Sequence, residues 1–165
     1  LLAGAVGDVC LALPNAFLPG MIAFAIGHGL YVAAFLQWNR AAAPALLLPV
    51  LLFAGTGAVL MLPGAGALAL PLAGYVMVIG VMLWRAAACA LDAKADALLR
   101  WGPLAGALLF AFSDMLIGIN RFTRPLPGAA FAIILTYWMA QALFATTALR
   151  ANAGAPRLDR ASRSP

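Results

Sequence analysis

Charge is scarce in this chain. Charged residues make up 9% of its 165 positions and hydrophobic residues 65%, against roughly 25% and 45–50% in a soluble domain, so a water-soluble globule is excluded. Histidine occurs once and cysteine twice, which leaves no Cys/His cluster at metal-ligand spacing and no disulfide framework. Cys10 and Cys89 both fall in apolar segments and read as packing residues, so no redox compartment follows. There is no Gly-x-Ser-x-Gly elbow and no phosphate-cradling glycine loop. The net charge of +5 does not point to nucleic acid, because the basic residues lie in loops and the tail rather than in a stripe with aromatics. No metal, cofactor or nucleic-acid partner is implied.

What the chain has in abundance is apolar sequence, and Pro, Gly and charge cut it into six segments near the length of about 20 residues that a spanning helix needs. They run from the start to Leu13, Ala16 to Leu36, Ala43 to Leu62, Leu68 to Leu91, Pro103 to Asn120 and Gly128 to Leu149. The fold class is therefore all-α, a polytopic transmembrane helical bundle over residues 1–149. The apolar run is under way at Leu1, so the sequence is expected to begin inside a helix, with a segment missing upstream. The link from Asp92 to Gly102 is polar enough for a solvated helical extension, and residues 150–165 are expected to be a disordered basic tail. Arg40, Arg85, Lys94, Arg100, Arg150, Arg157, Arg160 and Arg163 fall on one side of this bundle, against Arg121 and Arg124 on the other. The positive-inside rule then predicts a multi-pass membrane protein whose C-terminus is cytoplasmic.

Two aspartates break the apolar pattern. Asp8 and Asp114 stand in stretches otherwise free of charge, where a carboxylate costs several kcal/mol, about 2.5–3.5 on insertion scales, and marks a functional site by default. Counting back from Leu13 and Asn120 at 1.5 Å per residue puts the two acids ~8 and ~9 Å deep from the same face. Acids at one depth are expected to share a cavity; the alternative is that each is a packing group satisfied by a neighbour. Around them, Phe17, Gly20, Phe24, His28, Tyr31 and Phe35 line one face of the second helix, and Tyr137, Gln141 and Phe144 one face of the sixth. The same count sets His28 and Gln141 about 10 Å below the acids, where they are expected to point inward and order a water network or a lipid's polar end. Gln141 must find a partner in apolar surroundings. Asn120 reads either as an interfacial anchor or as a headgroup contact. Gly102-x-x-x-Gly106 is a helix-packing signal.

Two membrane aspartates also occur in intramembrane aspartyl proteases, but Ala5 occupies the first Gly position of the Gly-x-Gly-Asp signature, and Pro44-Ala45-Leu46 lies between the acids rather than after them. A different class, a small proton-coupled transporter using Asp8, Asp114, His28 and Gln141 as a pathway, stays open, although no half-to-half repeat or paired broken helices support it.

Gly7-Asp8, the aromatic stripe of the second helix, Gly106-Ala107-Leu108-Leu109-Phe110 followed by Ser113-Asp114, Asn120 and Phe122, and Tyr137-x-x-x-Gln141 together resemble the YhhN-like lysoplasmalogenases over almost the whole chain. The resemblance implies a bundle of about eight helices, of which six are in this sequence. It also implies an intramembrane hydrolase that cleaves the vinyl ether bond of a lysophospholipid to a fatty aldehyde and a glycerophospho-amine, with Asp8 and Asp114 as the catalytic pair. His28, Tyr31, Ser113, Asn120, Tyr137 and Gln141 are the expected pocket residues, and membrane lipids the surroundings. A vinyl ether is opened by protonation at carbon and capture of the cation by water, which needs an acid and a base; the sequence leaves open which aspartate takes which part, with Asp114 preferred as the acid because Ser113 or other local donors could tune it.

Overall fold

A computed structural model describes residues 1–154; of the expected disordered tail, Arg150 to Gly154 are helical, and residues 155–165, with Arg157, Arg160 and Arg163, lie outside the described residues. Within them are six α-helices: α1 (Leu2–Ala12), α2 (Phe17–Trp38), α3 (Leu47–Met61), α4 (Ala69–Cys89), α5 (Ala97–Phe122) and α6 (Ala129–Gly154). Five helical stretches are long and apolar enough to cross a membrane. The first segment is not among them, since 11 residues rise only ~17 Å, about half of a hydrocarbon core.

The chain's punctuation does what its chemistry dictates. Pro14 and a left-handed Asn15 at φ 60° turn α1 into α2. Gly128, at φ 74°, starts α6 after two prolines. Pro49 and Pro71 sit within the first turn of α3 and α4, where an N–H has no intrahelical partner to lose. α5 starts well before Pro103, because Asp96 caps it by accepting from the Leu98 and Leu99 amides at 3.1 and 3.0 Å. Pro103 is thus an interior residue of a longer helix than its position suggests. At the other end, α6 runs past Leu149 to Gly154.

α5 is the axis. Half of its spanning segment is buried, against 11% for the segment that contains α3. Its small residues allow the close approach: a Cβ at Gly106 would lie 2.5 Å from Phe144 Cε1, and one at Gly102 would collide with Thr147 Oγ1. The packing signal read from sequence is the α5–α6 contact. On the other side of the axis, Gly7 of α1 receives Phe24 of α2, and α2 and α4 close around a core of Phe24, Phe35, Met82, Phe110 and Phe144. Large apolar side chains such as Leu2, Val59, Leu70 and Phe131 face outward, each more than 70% exposed, as a surface bathed in lipid tolerates.

Polar clamps tie one end of the bundle. Arg85 is buried in α4 rather than lying in a loop, and donates to the Ala41 carbonyl at 3.0 Å and the Asn39 carbonyl at 2.5 Å. Trp84 Nε1 donates to Ala43, Arg100 Nε to Ala90, and Arg150 Nε pairs with Asp96 at 2.8 Å. Arg121 lies at the opposite end, its guanidinium 5.2 Å from the Phe17 ring centre.

Candidate active site

Asp114 reaches the interior from the buried face of α5, where the i, i+3, i+4 spacing of Phe110, Ser113 and Asp114 puts all three on the side turned toward α2, α4 and α6. Tyr75 of α4 donates to its Oδ2 at 2.9 Å. His28 Nε2 of α2 lies 3.2 Å from the same oxygen. That approach is not aligned as a hydrogen bond, and neither imidazole nitrogen has a hydrogen-bond partner among the described residues. The ring is wholly buried, held edge-on by Phe110 at 4.6 Å and Tyr75 at 5.5 Å between centroids.

Asp8 is more open, on the face of α1 turned to α6, and Tyr137 donates to its Oδ2 at 2.9 Å. Both acids line one cavity of about 320 Å³, together with Phe24, Ser113, Ile133 and Tyr137. The expected shared cavity is present, and each of its carboxylates has one oxygen held by a tyrosine, Asp8 by Tyr137 within the lining and Asp114 by Tyr75 outside it. Deeper in the bundle, Tyr31 donates to Gln141 Oε1 at 2.6 Å, which supplies the partner that the buried amide requires. Gly4 of α1 leaves room for this layer, since a Cβ there would lie 2.7 Å from the Tyr137 hydroxyl and 2.8 Å from Gln141 Nε2. All three tyrosines of the chain and its single histidine thus converge on two neighbouring layers.

Three expectations change. His28 is not a layer below the acids but in contact with Asp114. From the observed helix ends, His28 is ~16 Å from the start of α2 and Asp114 ~12 Å from the end of α5, and an imidazole spans the remaining ~4 Å. Ser113 is buried and lines the cavity, but its hydroxyl donates to the Ile133 carbonyl at 3.2 Å rather than to its neighbouring acid. Asn120 is exposed at the end of α5, away from the cavity lining, and its side-chain oxygen accepts from the Leu126 amide at 2.9 Å, shaping the loop to α6. Tyr75 was not anticipated. Its one available signal is that it is the sole hydroxyl in α4.

Among the described residues no group of three or more His, Cys, Asp or Glu side chains gathers as a metal cage. Cys10 and Cys89 are free thiols on separate helices, and Cys89 points its sulfur toward the Phe35 carbonyl at 3.8 Å.

The sequence profile of the YhhN family matches residues 1–148. The chain belongs to the YhhN family. Human lysoplasmalogenase TMEM86B is 41% identical over 155 residues, which cover 91% of this YhhN chain and 62% of the human protein. The pig protein of the same name is 40% identical, with 87% and 58% covered, and human lysoplasmalogenase TMEM86A is 36% identical, with 92% and 64% covered. This YhhN chain therefore spans about three-fifths of the length of the curated relatives it matches. No solved structure matches it.

Proposed function

We propose that this protein hydrolyses the vinyl ether bond of a lysoplasmalogen within the membrane, with Asp8 and Asp114 as the acid/base pair. The observation that carries the reading is the single cavity into which both carboxyls open, one on α1 and one on α5. The names of its relatives supply the substrate class.

In this scheme the protonated carboxyl delivers its proton to the β-carbon of the vinyl ether, and the ether oxygen shares the resulting positive charge as an oxocarbenium ion. The second carboxylate stabilises that cation and takes a proton from the attacking water. The hemiacetal then collapses: its hydroxyl proton leaves, the C–O bond to glycerol breaks, and the glycerol oxygen takes a proton. The net change is vinyl ether plus water giving aldehyde plus alcohol. Two carboxyls in a dry site divide these roles because both do not ionise easily together. Asp114 is the better carboxylate, with a tyrosine hydroxyl and an imidazole both facing Oδ2. Asp8, with one tyrosine and an open side toward the cavity, is the better proton donor. This reverses the assignment made from Ser113, whose hydroxyl is committed to a backbone carbonyl.

Tyr137 walls the site, with the Tyr31–Gln141 pair in the layer behind it, and the same reading sets the Arg85 end, with the C-terminus, in the cytoplasm. Asp8→Asn and Asp114→Asn are each expected to lower aldehyde release from a lysoplasmalogen by about 100-fold or more, the usual scale of acid–base catalysis. Undiminished turnover in both variants would remove the proposal.

A further inference from the structure

Asp114 lines not one hollow but two. Besides the acid-lined cavity, a second cleft lies between α2, α3, α4 and α5, walled by Met21, Phe53, Ala54, Gly57, Ile79 and Met115. Leu11, Phe24, Asp114 and Ile117 line both hollows, so the two adjoin at the acid, with only these side chains between them. Their chemistry differs. Only Asp114 and Tyr75 interrupt the apolar lining of the cleft, and the cleft is narrow, about 50 Å³ against about 320 Å³ for the cavity on the same measure. With the Tyr75 hydroxyl committed to Asp114, a slot of that kind has no free donor for a phosphate or glycerol and no width for a headgroup, whereas a polymethylene chain loses nothing by entering it.

We propose that the cleft beside α3 is the site for the hydrocarbon chain of the substrate, with the polar glycerophospho portion in the wider cavity and the reacting bond at Asp114 between them. The inference rests on the function proposed above and assigns the lipid a direction within it. It also names the helix that reads chain length. α3 buries only Gly57 and Met61, and the cleft owes its space to the small residues among its larger walls, Ala54 and Gly57 on α3 and Gly118 across the gap: a Cβ at Gly57 would already sit 3.3 Å from Met61 Cε, and one at Gly118 would collide with Met61 Sδ. Enlarging a residue on this face of α3 shortens the slot without touching either acid.

Ala54→Phe puts a ring into the cleft, and Gly55→Phe, one residue on, puts the same ring where a Cβ meets nothing within 4 Å. In the full chain, Ala54→Phe is expected to lower kcat/KM for an octadecenyl lysoplasmalogen by about tenfold or more relative to an octenyl one, because excluded methylenes forfeit their burial; Gly55→Phe is expected to leave that ratio unchanged. Equal losses for both chain lengths, or the same shift from Gly55→Phe, would overturn the assignment. Binding of uncleavable octyl and octadecyl ether lysophospholipids separates this inference from the catalytic one. Loss of the long-chain preference in Ala54→Phe supports the cleft even in a protein without hydrolase activity, and an unchanged preference refutes it. Gly57→Leu, on the same face, is read in parallel if Ala54→Phe does not fold.

Discussion

A carboxylate surrounded by hydrocarbon needs hydrogen-bond donors, and the two intramembrane aspartates obtain theirs from tyrosines on other helices. Their positions are legible in the sequence because a lone acid in an apolar run has few explanations. The partners are not. Tyr75 is a single hydroxyl in an apolar helix, which reads equally as packing, and the depth of His28 depends on helix ends that shift by a few residues. A bond to a charged group contributes about 1.5–3 kcal/mol, so Tyr75→Phe is expected to cost about tenfold or more in kcat on a lysoplasmalogen with a smaller change in KM. His28→Gln, which removes the imidazole beside Asp114, is expected to lower kcat by about tenfold with a smaller change in KM. Steady-state kinetics checks both. An unchanged kcat in His28→Gln would make the histidine a packing residue only.

At the scale of helices, existence was easier to read than ends. All six apolar segments are helical, yet α5 begins at Ala97 rather than at Pro103, because a proline near a helix start looks like the start itself. The actual signal was Asp96, an N-cap residue ahead of an apolar run. Backbone amides of Leu99 and Leu98, with Arg150 nearby, hold the Asp96 carboxyl below the usual carboxylate range. A depressed folded value means that the cap's contribution is complete above the unfolded value and fades as pH falls through the folded one. Asp96→Ala is therefore expected to lower the melting temperature at neutral pH. The gap to the parent protein should narrow on acidification below about pH 4, where an unfolded aspartate protonates. A gap that persists in strong acid would mean that the carboxylate's charge contributes nothing to the helix.

For the molecule as a whole, composition alone was enough to fix the class. The arrangement that makes a cavity was not legible, since no sequence pattern states that Phe24 of α2 stands between Gly7 of α1 and Phe110 of α5. The two ends do differ in a way that sequence anticipates: Arg85, Arg100 and Arg150 are engaged at one, Arg121 stacks at the other. A C-terminal green fluorescent protein fusion is expected to fluoresce, as the positive-inside rule requires of a cytoplasmic terminus. An active alkaline phosphatase fusion at the same position would reverse the orientation.

The contrast between α5 and α3 carries a consequence for how this protein can change. On α5, Gly102 and Gly106 each stand where any added carbon would strike a neighbouring side chain, and a close-packed interior has no slack to absorb it. On α3, Gly55 faces open space and Gly57 meets only flexible methionine ends. The helix that holds the acid is thus closed to experiment by substitution, while the helix beside it is free to vary in bulk. A new lipid preference is reachable by single steps on α3 that leave the reacting groups where they are.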